Sequence, residues 1–250
     1  LGAVPVLNTP EQVSMWHASG GGRCHIMFDS GINRLGIGPE QMSQCRLQDI
    51  DVDLLLSHLA SADEDSAQNH AQQRLFHEHA AVSGAKRLSL ANSAGIMLGA
   101  DYHYDLTRPG LSLYGGIARP EMGAFIKPVA RLSARLLQVR TQPAGAPIGY
   151  NATHICGNDT TVGTISIGYA DGYLRAFSSK GTAHYGSATL PVLGRVSMDL
   201  VTLDISAAPE LREGDWVDVE YDLPTASALT GLSQYELLTN LGTRFESIWR

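Results

Sequence analysis

Lysine is scarce in this chain: Lys86, Lys127 and Lys180 are the only three in 250 residues. Lys and Arg together number 18 against 25 Asp and Glu, a formal net charge of −7. That balance argues against nucleic acid as a partner, because phosphate binding needs clustered cations. Cysteine is equally rare. Cys24, Cys45 and Cys156 are scattered, odd in number and form no C-x-x-C pair. They read as reduced thiols of a cytoplasmic protein, not as a disulfide framework or zinc site. No run of 18 apolar residues occurs, so no membrane span is expected. Leu1 to Val6 has neither a basic stretch nor an initiator Met, and reads as the inside of a longer protein, not as a signal peptide. H-E-x-x-H, G-x-S-x-G, G-x-G-x-x-G and the P-loop are all missing, which removes the zinc-protease, α/β-hydrolase and nucleotide-binding readings. The nine histidines, His77, His79 and His103 among them, then read as core or surface side chains, and Gly20–Gly22 as a flexible loop.

What is present is 44% hydrophobic residues, enough for one large core or two modest ones. In the first half, short apolar runs alternate with helical patterns. Strands are expected at Val4–Val6, Cys24–Phe28, Leu54–Ser57, Arg87–Leu90 and near Tyr104–Leu106. Helices are expected from Thr9 and Pro10, from about Pro39, through Ala71, Leu75 and Phe76, and from about Ser93. Thr9 is a candidate N-cap, with Pro10 at the first helical position and Gln12 where a capping box places it. Strands alternating with helices imply parallel β/α units. Near Ile126 the texture changes to alternating apolar and polar residues with Gly and Pro turns, as in Val201–Ile205 and Val217–Tyr221, which points to antiparallel strands. Ser233 and Glu236 form a capping box opening a helix through Leu241. The expected class is therefore α/β plus β: residues 1–125 as about five β/α units and residues 126–250 as a mostly antiparallel β domain. A closed parallel barrel needs eight units, so the first part is either an open sheet or the last five units of a TIM-type barrel.

Polar residues gather where the expected parallel strands end: Asp29 and Arg34, His58, Asn92 and Ser93, Arg108 and Gly110. Active sites of β/α barrels lie at those ends, although loops are polar in any case. Ser93 at a helix start, with Gly110 in Arg108-Pro-Gly110, is an anion-site candidate; the alternative is an ordinary N-cap serine. In the β domain, Gly168-Tyr-Ala-Asp-Gly172 and Gly194-Arg-Val-Ser-Met-Asp199 read as tight turns, with Arg195 and Asp199 as an ion-pair candidate. Tyr150 follows a turn and on its own reads as a structural tyrosine.

Taken together, Phe28-Asp-Ser-Gly-Ile-Asn-Arg-Leu-Gly36, Ser57-His-Leu-Ala-Ser-Ala-Asp-Glu64, Ala91-Asn-Ser-Ala94, Arg108-Pro-Gly-Leu-Ser-Leu-Tyr-Gly115, Ile165-Ser-Ile-Gly-Tyr-Ala-Asp-Gly-Tyr173 and Gly194-Arg-Val-Ser-Met-Asp199 resemble the alanine racemases. They stand in the family's order at similar spacings, from about Cys24 to Ile205, with a weaker match around Tyr235–Arg244. The resemblance implies an eight-unit β/α barrel with a C-terminal β domain, pyridoxal 5′-phosphate as cofactor, alanine as substrate, a cytoplasmic homodimer and a role in D-alanine supply for the cell wall. It also implies that the first three barrel units are absent here, together with the lysine that carries the cofactor.

Residue by residue, the resemblance makes Tyr150 one of two catalytic bases, acting in the partner subunit's site, and the absent lysine the other. Arg108 matches the partner of the cofactor's pyridine nitrogen. His58 belongs to a hydrogen-bonded relay near Arg108 and the tyrosine. Ser93, Gly110 and Leu111 match phosphate-binding positions, Met198 a backbone N–H that meets the substrate carboxylate, and Arg34 a support for the tyrosine and that carboxylate. Tyr169 and Arg195 line substrate access. Two departures are visible: Met27 stands where some members carry a carbamylated lysine, and Thr243 where some place a phosphate-binding tyrosine. Racemisation needs a base on each face of Cα, and a phenol with a pKa of about 10 needs cationic or hydrogen-bonding neighbours to serve. Alternative readings are a serine or broad-spectrum racemase, a basic-amino-acid decarboxylase of related build, or an inactive fragment.

Overall fold

The change of texture near Ile126 coincides with a division of the structure. The computed structural model describes residues 2–249. One compact unit runs to Leu113 and includes Ile117–Ile126; the other comprises Tyr114–Gly116 and the residues from Lys127 onward.

The first unit alternates strands and helices: β1 (Val6–Leu7), α1 (Pro10–Ala18), β2 (Arg23–Met27), α2 (Pro39–Met42), β3 (Asp51–Leu56), α3 (Ala67–Ser83) and β4 (Arg87–Ser89). The strands form one parallel sheet in the order β1-β2-β3-β4. Thr9 caps α1 as expected, its hydroxyl accepting from Gln12 N at 3.1 Å. The reciprocal bond is displaced by one residue: Gln12 Oε1 accepts from Asn8 N at 2.7 Å. Ser66 caps α3, and Gly84 closes it at φ 68°, a left-handed position that costs glycine little. One sheet face is apolar, with Ile26, Phe28, Leu55 and Leu90 wholly buried in one core with Phe76 of α3. On β2, Arg23, His25 and Met27 alternate to the opposite face. A bulge lies here, since Cys24 pairs with Val52 but His25 with Leu54. The extra residue is Asp53, whose Oδ2 receives Arg23 and Arg87 at 2.8 Å each and faces His25 Nε2 at 3.2 Å.

Three expectations are corrected. After Ser93 there is no α-helix but two 3₁₀ turns, Gly95–Leu98 and Ala100–Tyr102. No strand forms at Tyr104–Leu106: Tyr104 sits at φ 49°, outside the extended region. Asp105 N and Leu106 N both donate to Leu88 O, and the sheet is continued only by a single parallel bridge, Asn92 to Arg108. The first strand is Val6–Leu7, not Val4–Val6.

The second unit holds β5 (Leu132–Gln142), β6 (Pro147–Ile148), β7 (His154–Ile155), β8 (Thr160–Ile165), β9 (Thr182–Tyr185), β10 (Ala188–Pro191), β11 (Val201–Asp204), β12 (Trp216–Val219), α4 (Leu223–Thr230) and α5 (Gln234–Thr239). Six strands make one antiparallel sheet in the order β10-β9-β12-β5-β8-β11; β6 and β7 form a separate pair. The period-2 reading of β11 holds: Val201 and Leu203 are buried, Thr202 and Asp204 less so. Leu136, Ile165, Leu190, Leu203 and Val217 build the core with Tyr173, which stacks on Phe177 at 4.3 Å. The capping box of α5 is complete, Ser233 Oγ accepting from Glu236 N at 3.2 Å and Glu236 Oε2 from Ser233 N at 2.8 Å.

Candidate active site

In the first unit the singled-out residues stand at the C-terminal ends of the parallel strands. After β2, the Asp29 carboxylate accepts the N–H groups of Gly31, Asn33 and Arg34 at 2.9, 3.0 and 3.1 Å. This wraps the loop tightly and leaves Arg34 exposed. The wrap needs Gly36, at φ 141°, where a Cβ would come within 2.8 Å of Asp29 N. After β3, His58 is half-buried, and among the described residues its ring makes no hydrogen bond. Burial first, then the charges of Arg108 and Arg34, hold its pKa below the ordinary histidine value, so the ring is neutral near neutral pH.

Arg108 is fixed from both sides. Its backbone N donates to Ala91 O at 2.8 Å, and its guanidinium donates to Ser89 Oγ and to Ser57 O. Burial lowers its pKa. Ser57 Oγ lies 2.7 Å from Ser30 Oγ, which also receives Gln72 Nε2 at 3.2 Å, so a buried polar network backs the guanidinium. Ser93 is 3% exposed, and its hydroxyl accepts from Gly110 N at 3.1 Å and Ser112 N at 3.2 Å. Leu111 lies between them, buried. The expected anion site at a helix N-terminus is thus corrected in form: no α-helix follows Ser93, and the N–H groups of Gly110 and Ser112, two residues apart, converge on its hydroxyl. Ser93, Arg108, Gly110 and Leu111 are brought together, and His58 feels the charges of both Arg108 and Arg34. Among the described residues the His58 ring makes no hydrogen bond to Arg108, which is held by Ser89 Oγ and Ser57 O. Sequence reasoning marked Ser57 only as the opening residue of the His58 motif and missed Ser89, whose only signal was its place at the end of β4.

In the second unit, Tyr150 opens a 3₁₀ turn after β6 and is 61% exposed. Gly149, Asn151 and Ala152 take φ of 70°, 60° and 49°, and such values cost a non-glycine residue about 1–2 kcal/mol. Strain of this kind persists where surrounding structure imposes it; here a Cβ on Gly194, at φ 68°, would come within 2.9 Å of Ile148 O. Tyr173 and Tyr221 are poor candidate bases, because burial raises both phenols, Tyr221 to about 12. The Met198 loop is stitched to the Gly168 turn: Tyr169 N donates to Ser197 O and Ala170 N to Met198 O, each at 3.0 Å. Among the described residues the N–H of Met198 has no partner. Arg175 lies over the Tyr169 ring at 5.1 Å. The expected Arg195–Asp199 ion pair is corrected: Asp199 pairs with Arg244 at 2.8 Å. Lys86 pairs with Asp51 at 2.6 Å, Lys180 reaches Leu229 O at 3.4 Å, and both are exposed, as is Lys127.

Among the described residues no group of three or more His, Cys, Asp or Glu is placed to hold a metal, and no helix is long and apolar enough to cross a membrane.

Comparison with known proteins gives a consistent answer. The family models "Alanine racemase, N-terminal domain" and "Alanine racemase, C-terminal domain" match residues 1–118 and 129–249. The catabolic alanine racemase of Agrobacterium fabrum is 40% identical over 96% of this chain and 66% of its own length. An alanine racemase of Jannaschia sp. is 42% identical over 96% of this chain and 70% of its own. The crystal structure of alanine racemase from Bartonella henselae, with covalently bound pyridoxal phosphate, superposes with a TM-score of 0.90 at 32% identity, over 99% of this chain and 73% of that one. The chain spans about two thirds of the length of these relatives.

Proposed function

The chain belongs to the alanine racemase family, and from that premise we propose that it interconverts L- and D-alanine with pyridoxal 5′-phosphate held at the strand ends of the first unit. The observation that carries this reading is Arg108: a half-buried guanidinium at a strand end, held by a hydroxyl and a carbonyl with no carboxylate beside it.

The donor set suits the cofactor. The Ser93 hydroxyl gathers the N–H groups of Gly110 and Ser112, with Leu111 in the same segment, and this compact set of neutral groups would turn to a phosphate. Arg108 suits the ring nitrogen, because a fixed cation disfavours a second positive charge there. When bound, the cofactor supplies an electron sink for the pair released from the Cα–H bond. Arg108 makes that sink a weak one, which favours prompt return of the proton over side reactions. His58, neutral and half-buried, keeps the surroundings of Arg108 free of a further charge.

Tyr150 moves the proton on one face of Cα. Its exposure matches a tyrosine that enters a second copy's site in a homodimer. The base for the other face, which also anchors the cofactor, is assigned to a lysine outside these 250 residues, since Lys86 pairs with Asp51, Lys180 reaches Leu229 O and Lys127 is an exposed residue of the second unit. In the second unit the N–H of Met198 is the group for the substrate carboxylate, with Tyr169 and Arg195 at the access route; in the first unit Arg34 is an exposed cation suited to a carboxylate.

The test is chiral analysis of alanine with added pyridoxal phosphate, on this chain and on a version extended N-terminally to the length of its relatives. Racemisation by the extended version alone is expected, and Tyr150→Phe in it removes exchange of the Cα proton from one enantiomer before the other. Activity with neither version would overturn the proposal, and activity of this chain alone would overturn the lysine assignment.

A further inference from the structure

Two motifs of the second unit, Gly168-Tyr-Ala-Asp171 and Ser197-Met-Asp199, are joined by a third segment, the one of the weaker match around Tyr235–Arg244. Arg244 Nε and Nη2 each lie 2.8 Å from Asp171 Oδ1, and Nη1 lies 2.8 Å from Asp199 Oδ1. The other Asp171 oxygen, Oδ2, accepts Gly168 N at 2.9 Å, so one carboxylate organises its own turn and receives the guanidinium. Asp171 is 8% exposed. Each carboxylate raises the pKa of Arg244, the Asp171 bond more than the Asp199 bond. The segment carrying Arg244 is itself pinned, with Gly242 N donating to Asp171 O at 3.0 Å. It also lies so close that a Cβ on Gly172 would come within 2.4 Å of Asn240 O.

This geometry does something specific to Met198. Its carbonyl is taken by Ala170 N, and its N–H is left without a partner among the described residues. The residue after it, Asp199, is tied by Arg244 to Asp171. Met198 therefore sits between two attachments, with its amide direction set by both. A planar guanidinium spanning two carboxylates fixes distance and orientation together, which a lysine point charge does not.

We propose that Arg244 is a positioning residue for substrate binding: it holds the Met198 N–H in the orientation that receives a small carboxylate. The claim rests on the Met198 role given under the proposed function, and it adds the residue on which that role depends. Arg244 itself touches neither substrate nor reacting atoms.

The test uses Arg244→Ala, Arg244→Lys and Asp199→Asn, made in this chain and in the extended version. In the extended version the alanine KM is expected to rise about tenfold in Arg244→Ala, and the inhibition constant of propionate, which keeps the carboxylate but has no amine to react, rises by the same factor. The kcat stays within about twofold. Arg244→Lys restores only part of the loss, and Asp199→Asn, which cuts one arm of the clamp, falls between. On this chain, hydrogen exchange at residues 196–200 is expected to quicken in Arg244→Ala while exchange in β5 and β8 is unchanged. Unchanged exchange at 196–200 would overturn the clamp whatever the activity. A parallel fall in kcat and cofactor content with an unmoved propionate constant would reduce Arg244 to a general structural residue and overturn its role in substrate binding. If the parent extended version leaves alanine unchanged, the reading beneath the proposal has failed and the substrate claim with it, whereas the exchange result still decides the clamp.

Discussion

Replacing Gly168 by alanine adds one methyl group where there is no room for it. The backbone there is extended, at φ −161°, so alanine meets no conformational penalty and the whole effect is steric. The new Cβ would lie 2.3 Å from Met198 O and 2.5 Å from Ser197 O, where ordinary contact begins at 3.4 Å. Both oxygens belong to backbone and cannot swing aside. Relief needs the 197–198 segment to retreat by about 1 Å, which breaks the bonds from Tyr169 N and Ala170 N to those same carbonyls. Each bond is worth about 1 kcal/mol, and forced overpacking costs about 1–3 kcal/mol more. The expected destabilisation is about 4 kcal/mol, which for a unit of this size lowers Tm by roughly 15 °C. Gly157→Ala is the control: it has no positive φ and nothing within 4 Å of an added Cβ, so it leaves Tm unchanged or slightly raised. Thermal unfolding followed by circular dichroism measures both variants. A Gly168→Ala protein melting within about 2 °C of its parent would refute the account of how the two loops are locked.

Other perturbations have equally definite outcomes. Ser93→Ala leaves Gly110 N and Ser112 N without their shared acceptor, and urea unfolding should show a loss of about 1–2 kcal/mol. In the extended version the same change weakens pyridoxal phosphate binding, read by titration of the cofactor's absorbance. The bonds from Arg87 and Arg23 hold Asp53 well below the usual carboxylate range, so its pairing stabilises the fold above about pH 4 and is lost as the pH falls further. Asp53→Asn should therefore lower the urea midpoint at pH 7, with the gap narrowing on acidification below pH 4. His58 is depressed by burial and by its arginine neighbours, so the unfolded chain takes up a proton before the folded one does. Stability should decline as the pH falls below about 6.5, and His58→Asn should flatten that part of the profile.

The sequence was most legible where local chemistry and tertiary need agree. The Ser233 box, the Thr9 cap and the alternation in β11 are each satisfied within a few residues of where they are written. It misled where a side chain with a local habit is claimed by something distant. Ser93 looks like an N-cap, yet its hydroxyl serves Gly110 and Ser112, leaving the segment that follows as 3₁₀ turns. Tyr104 looks like a strand residue, but the chain must turn there to lay Asp105 and Leu106 against Leu88. Asp199 has a cation four residues before it and takes Arg244 instead, because the fold, not the spacing, brings that guanidinium between two carboxylates. At the candidate site the motif residues stood out, whereas Ser89, which holds Arg108 with its hydroxyl, did not, and Ser57 was marked only as a neighbour of His58. A serine at a strand end carries no periodic signal, and its value appears only once β3 and β4 lie side by side.

The tie between Arg244 and Asp171 joins residues 73 positions apart, and this has a consequence for biosynthesis. Both turns of the Met198 region leave the ribosome well before the residue that locks them. Until Arg244 emerges, Asp171 and Asp199 face each other without their shared cation, and the amide that would greet a substrate has no fixed aim. A chain ending ahead of Arg244 would leave the two turns without their shared cation, and the loop that carries Met198 without its second attachment.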